Sequence, residues 1–267
     1  MNTWTKGALV VVVVVAGAAA LYTYMQKEST IADASPVAVA PPAEPAPSET
    51  PVEVPNYPIA PPPDAAPASP DAAPVDSDAV MRNGLAGLFG AAFDKYFSST
   101  DIVRRIVVTV DNLPREKVAR RLMPVKPVPG PMTVTGSGDT LVLDESNAAR
   151  YRTYIHLVDT VPTAAVVDAY VRNYPAFQQR YVELGYPDGY FNNRLVEVID
   201  HLLAAPELAG PLRLAQPKVL YTFADPELEK LSEGQKIMLR MGPDNAARVK
   251  AKLREIRAAV TKQAPGR

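Results

Sequence analysis

The chain has 267 residues, of which 47% are hydrophobic and 21% charged, and its formal net charge is −1 at pH 7. It contains no cysteine and only two histidines, a composition that excludes disulfides and argues against a structural zinc site. The charge balance argues against a nucleic-acid partner, because proteins that bind a phosphate backbone usually carry a strong basic excess.

The first predicted element is a transmembrane helix at residues 7–25. This stretch holds no charged residue, and a helix of that length spans about 29 Å, the thickness of a bilayer core. Lys6 precedes it, so the positive-inside rule predicts a cytoplasmic segment at residues 1–6 and a periplasmic domain after the helix. The sequence therefore predicts a single-pass protein of the bacterial inner membrane, with the lipid bilayer as a partner. The alternative is a cleaved signal peptide, since Ala16-Gly17-Ala18 fits the small-x-small pattern; the domain is exported in either case.

Residues 26–75 are predicted to be a disordered linker rich in proline and alanine. Fourteen of the thirty-nine residues from 36 to 74 are proline, and full extension as polyproline II would reach about 120 Å. The linker carries one lysine against seven acids, whereas residues 76–267 carry a net charge of +4. Such a spacer favours a target away from the membrane surface. The alternative is a permissive linker whose length matters little.

Residues 76–262 are predicted to form one mainly α-helical domain with a small antiparallel β element, followed by a disordered tail at 263–267. Capping residues, prolines and apolar periodicity predict helices at 78–92, from 102 onward, at 116–123, 162–170, 177–184 and 193–204, after Ser232, and after Gly242-Pro243. The stretch 102–107 is also compatible with a strand. A hairpin is predicted from 132–134 and 140–143, and a third strand at 218–223.

The predicted helix at 193–204 carries the one acid–base candidate. Glu197 and His201 lie four residues apart on one face, with Arg194 on the same side as a charge clamp, so the pair suits proton transfer. The alternative is the solvated side of an amphipathic helix. No third metal ligand lies nearby, and the chain has neither a nucleophile-elbow nor a phosphate-loop motif. The primary prediction is therefore no catalytic residue, no metal and no cofactor.

Two groups of residues are predicted to bind a partner. The first is a basic cluster, in which arginine side chains suit carboxylates and phosphates: Arg104, Arg105, Arg115, Arg120 and Arg121. The second is an aromatic loop that leads into a helix: Tyr186, Tyr190 and Arg194. The alternatives are internal salt bridges for the first group and a helix lead-in packed on the core for the second. The predicted partner is another envelope protein or an anionic wall component.

Three long segments, 108–122, 186–203 and 218–257, resemble a bacterial family catalogued as domain of unknown function 3014. The resemblance covers nearly the whole exported domain, and a membrane anchor followed by a proline-rich spacer fits the family's usual layout. It implies no catalytic residues. The sequence thus predicts a non-catalytic binding or adaptor protein of the envelope, and the alternative is an envelope enzyme that uses Glu197 and His201.

Overall fold

A computed structural model describes residues 55–59 and 76–262. The predicted transmembrane helix, most of the predicted linker and the predicted tail lie outside these residues. Within the described part of the chain, no helix is both long enough and apolar enough to cross a membrane.

The described residues are mainly helical, as predicted. The α-helices, numbered in chain order, are α1 Ser77–Phe89, α2 Ala91–Tyr96, α3 Ile102–Asn112, α4 Arg152–Thr160, α5 Thr163–Arg172, α6 Tyr174–Glu183, α7 Phe191–Leu203, α8 Pro226–Glu229, α9 Glu233–Arg240 and α10 Pro243–Thr261. Short 3₁₀ helices occur at Arg120–Leu122, Gly138–Thr140 and Glu145–Tyr151.

Helix α7 lies at the centre of the domain. Its buried side chains include Leu195, Val198, Ile199 and Leu202, which recur at the spacing of one helical stripe. The helix contacts both α3 and α10; α3 in turn packs on α1 and α6, while α10 packs on α4, α5 and α9. Each fully buried aliphatic side chain contributes about 1.5–3 kcal/mol of transfer free energy, so this stripe fixes α7 firmly.

Two short β-hairpins form a second, smaller cluster. Strand β1 (Val134–Thr135) pairs antiparallel with β2 (Val142–Leu143), which confirms the predicted hairpin. Strand β3 (Leu214–Ala215) pairs with β4 (Thr222–Phe223), so the third predicted strand forms over its last two residues and has a partner that was not predicted. Main-chain hydrogen bonds join the two hairpins, and their apolar side chains bury one another: Leu141, Leu212, Leu214 and Phe223.

The prediction of a helix at 116–123 is wrong. Only a single 3₁₀ turn forms there, because the carbonyls of Leu113 and Arg115 accept hydrogen bonds from the main-chain amides of Gly234 and Glu233 at the start of α9. Those carbonyls would otherwise propagate a helix, so a tertiary contact overrides a local preference. The first predicted helix is divided at Gly90, whose φ of 52° favours glycine.

The ambiguous stretch at 102–107 is helical. Its first turn is capped from another helix, since Asp78 Oδ1 accepts a hydrogen bond from the amide of Val103 at 3.1 Å. A further helix, α4, was not predicted.

Candidate functional site

The first turn of α7 holds a short segment from the predicted linker, residues 55–59, whose main chain bends at Asn56 and Tyr57. Asn193 Oδ1 accepts hydrogen bonds from the main-chain amides of Asn56 at 3.1 Å and Tyr57 at 3.2 Å. Asn192 Nδ2 donates to the carbonyl of Tyr57 at 2.7 Å. Two consecutive asparagines therefore bind both the amide and the carbonyl of Tyr57.

The orientation of the Asn192 amide follows from its buried surroundings. The residue is fully buried, and its Oδ1 accepts a hydrogen bond from the Tyr170 hydroxyl at 3.0 Å. Burial raises the pKa of Tyr170 well above its ordinary value, so this hydroxyl is a neutral donor. The Asn192 NH₂ group consequently faces acceptors, namely the carbonyl of Tyr57 and, at 3.5 Å, that of Val260. A buried amide that loses a partner costs about 1–3 kcal/mol, so Asn192 favours a bound carbonyl.

Side chains add to these main-chain contacts. Tyr57 and Ile59 both pack against the main core. Arg257 forms a bidentate ion pair with Asp200. The hydrogen bond that Arg257 donates to Asp200 raises the pKa of Arg257, and the Tyr57 side chain adds a smaller contribution to the same shift. Tyr57 and Asp200 line the same pocket.

The segment forms one wall of an open pocket of about 310 Å³, and we call this pocket, together with the surface of α7 that the segment covers, the α7 groove. Its lining residues are Asn56, Tyr57, Tyr181, Asn193, Arg194, Val196, Glu197 and Asp200. The groove thus combines amides, an aromatic wall and charges of both signs.

One end of the groove rests on a buried carboxylate, Asp111, whose side chain is 4% exposed. Arg115 Nη2 lies 2.5 Å from Asp111 Oδ2, and Arg194 Nε lies 3.2 Å from Asp111 Oδ1. The Tyr186 hydroxyl accepts a hydrogen bond from Arg115 and donates one to Asp111. The structure therefore brings together Arg115, Tyr186 and Arg194, which belonged to two separate predicted clusters, and it holds them on an acid that the sequence analysis did not single out.

The other predicted basic residues lie toward the opposite end of α3. Arg105 donates hydrogen bonds to the carbonyls of Thr100, Arg121 and Met123, so it fixes the 3₁₀ turn against the start of α3. Arg104 and Arg121 are exposed, and Arg120 is half-buried. These residues therefore form a surface at some distance along α3 from Asp111 and the groove.

The acid–base candidates point to different partners. Glu197 forms an ion pair with Arg194 at 2.8 Å on the open side of the groove. His201 Nε2 instead lies 2.7 Å from Ser232 Oγ at the start of α9, and Gln235 Nε2 donates to the His201 carbonyl. Burial lowers the pKa of His201, against an opposing effect of Glu197. His201 thus joins α7 to α9.

The predicted aromatic loop leads α7 into the core. Tyr186 stacks on Tyr181 with ring centroids 4.5 Å apart, and Phe191 is buried against Phe177. Tyr190 remains half-buried at the start of the helix. Only part of this loop is accessible to a partner.

Metal binding finds no support in the described residues, which contain no group of three or more histidine, aspartate or glutamate side chains suited to an ion. The sequence analysis did not single out Asp111 or Tyr57, and in the aromatic loop it chose Tyr186, Tyr190 and Arg194 rather than the adjacent Asn192 and Asn193. One signal was present, since Tyr57 is the only aromatic residue between positions 26 and 75.

Comparison with known proteins gave one family match. The family described as protein of unknown function (DUF3014) matches residues 102–257, a range that includes both asparagines and Asp111 and excludes Tyr57. No curated protein and no solved structure matched the chain.

Proposed function

The chain belongs to the family of proteins of unknown function DUF3014, and for this member we propose a non-catalytic binding function as a membrane-anchored adaptor of the bacterial envelope. Its domain binds a short segment of another envelope protein in the α7 groove. The observation that carries this proposal is the pair of asparagines that hold the main chain of Tyr57. Main-chain amides and carbonyls are common to every peptide, so such a pair suits a protein ligand.

Electrostatics favour a protein over an anionic wall polymer at this groove. The carboxylates of Glu197 and Asp200 line it, and they would repel a polyanion that approached Arg194 or Arg257. A peptide carries little net charge along its main chain and meets no such penalty. The exposed Arg104 and Arg121 remain the surface on which a wall component would be sought.

The contacts of Glu197 and His201 support binding rather than acid–base chemistry. Their polar partners belong to different elements, so the two groups do not converge on a shared point where a substrate proton would lie. The ion pair of Arg194 with Glu197 shapes the edge of the groove instead.

The anchoring part of the proposal comes from the sequence. An uncharged stretch at 7–25 followed by a proline-rich linker suits a domain that is held to the periplasmic side of the inner membrane and reaches outward. An adaptor needs both features, a fixed attachment and a domain that binds elsewhere.

Photo-crosslinking in cells tests this function. A photoreactive residue replaces Glu197, whose side chain is 65% exposed at the groove, and a control replaces the exposed Arg213 on the second cluster. We expect a discrete protein product from position 197 alone, with the crosslink mapped by mass spectrometry to one short segment of the captured protein. The product should weaken when Asn193→Ala removes the acceptor for the bound main chain. Capture of glycan or lipid only, or equal products from both positions, would contradict the proposal.

A further inference from the structure

We propose that residues 55–59 act as an internal competitor, which occupies the α7 groove until an external segment of the same chemistry displaces it. This inference rests on the proposed function, because it assigns the regulation and the ligand class of the same groove. It starts from the fact that the occupant is part of the chain itself.

The segment is held as a separate ligand would be. Sixteen residues of the chain, positions 60–75, separate Ile59 from Asp76, and they lie outside the described residues. The main-chain hydrogen bonds of the segment go to residues more than 130 positions away, on α7. A connection of that length gives an intramolecular ligand an effective concentration of about a millimolar.

Competition of this kind lowers the affinity for an external segment by a calculable factor. The apparent dissociation constant of the external segment is multiplied by a factor. This factor is one plus the ratio of the effective concentration of the internal segment to its dissociation constant. If the internal segment is bound in about nine molecules of ten, the external affinity falls about tenfold. Weakening the internal segment recovers that factor.

The contacts define which external segments fit. The groove uses the amides of residues 56 and 57 and the carbonyl of residue 57, so the amide of the following residue is not needed and proline is accepted there. An aromatic side chain suits the position that lines the pocket together with Asp200, and an aliphatic one suits the position two residues later. The ligand class is therefore a short, proline-tolerant peptide that bends at a tyrosine two residues before an aliphatic residue.

Displacement also changes how far the domain reaches from the predicted anchor. With Pro55 bound to the domain, 29 residues (26–54) connect it to the end of the predicted membrane helix, a contour length of about 100 Å at most. With the segment released, residues 26–75 span about 170 Å at most. Binding of a partner thus lengthens the tether.

The test uses the full chain in detergent micelles and a fluorescein-labelled synthetic peptide that spans residues 53–61. Fluorescence anisotropy measures peptide binding to the wild type, to Tyr57→Ala and to a matched control, Tyr221→Ala, in which the lost tyrosine is also half-buried but packs on the second cluster. We expect Tyr57→Ala to bind the peptide about tenfold more tightly than the wild type, and Tyr221→Ala to match the wild type. Adding Asn193→Ala to Tyr57→Ala should remove the gain.

The outcomes separate this inference from the proposed function. Equal, measurable affinity in the wild type and in Tyr57→Ala overturns internal competition and leaves the groove as a peptide site. Absence of binding in both overturns the inference and the peptide-binding function together. If circular dichroism shows that Tyr57→Ala is unfolded, Ile59→Ala decides the question, with a smaller gain in the same direction expected.

Discussion

Replacing Asp111 by asparagine removes one negative charge from beneath the groove while keeping the size of the side chain. The carboxylate is 4% exposed and accepts contacts from Arg115 at 2.5 Å and Arg194 at 3.2 Å. The two arginines differ in exposure: the Arg115 side chain is 51% exposed, whereas that of Arg194 is 18% exposed. Arg115 can therefore turn toward water in the variant, and Arg194 cannot do so fully.

The expected loss of stability follows from these exposures. Removing one partner of a fully buried ion pair costs about 3–5 kcal/mol, and a hydrogen bond to a charged group contributes about 1.5–3 kcal/mol. Arg194 retains Glu197 and the carbonyl of Asp111, and asparagine still accepts one hydrogen bond. We therefore expect Asp111→Asn to lower the free energy of unfolding by about 2–3 kcal/mol.

Urea denaturation of the full chain in detergent at pH 7, followed by circular dichroism, measures this loss. Asp168→Asn is the matched control, because Asp168 is 67% exposed and lies 3.9 Å from Arg172 one helical turn away. The control should change stability by less than about 0.5 kcal/mol. If the two variants lose the same free energy, Asp111 does not stabilise the base of the groove and the reasoning is refuted.

Two further substitutions address the contact between α7 and α9. Burial lowers the pKa of His201, so the stability it contributes is present above the unfolded-state pKa of about 6.5 and is lost as the pH falls through the lower folded-state pKa. His201→Gln should therefore reduce the fall in melting temperature between pH 7.5 and pH 5, and an unchanged fall would contradict this. Gly234→Ala should destabilise by about 1–2 kcal/mol despite better helix propensity, because its Cβ would lie 2.8 Å from the Leu113 carbonyl oxygen. The control is Gly87→Ala, because Gly87 is also helical but is exposed, and this variant should be slightly more stable in chemical denaturation. If both variants lose stability, the close approach to Leu113 is not the cause of the loss.

Local sequence patterns were sufficient to predict the helices that have a clear apolar stripe or a capping residue. The apolar stripe of α7 and the serine before α9 are both visible in the sequence, and Ser232 Oγ does accept the amide of Gln235. In a capping box the Gln235 side chain would bond back to the main-chain amide of Ser232, but here it donates to the His201 carbonyl instead. A side chain chooses its partner from all neighbours in space, and the sequence displays only the neighbours along the chain.

The candidate site depended on such distant neighbours. Asp111 meets Tyr186 and Arg194 across 75 and 83 positions of the chain. Nothing in the local sequence distinguishes this aspartate from a solvated one, because its burial follows from how α3 packs against α6 and α7. The sequence analysis assigned Arg115 and Arg194 to two separate clusters, and it foresaw neither their meeting nor the acid that unites them.

The bound segment at residues 55–59 shows a second limit of predicting structure from amino-acid composition. A proline-rich stretch cannot form a core, yet its restricted main chain loses little conformational entropy when a few of its residues bind. Five residues with one tyrosine were enough here, and an average over fifty residues conceals them. Composition describes what a segment cannot do alone and says little about what a folded neighbour can bind.

Competition by residues 55–59 also makes linker length measurable on its two sides separately. Inserting sixteen glycine and serine residues between positions 60 and 75 doubles the connection to the domain, so the effective concentration falls about threefold by the −3/2 power of length. The chain with this insertion should then bind the synthetic peptide up to about threefold more tightly than the wild type. The same insertion between positions 26 and 54 leaves that connection unchanged and should leave the affinity unchanged as well. Equal effects from both insertions would show that the linker acts on the groove as a whole and not through a segment bound at Tyr57.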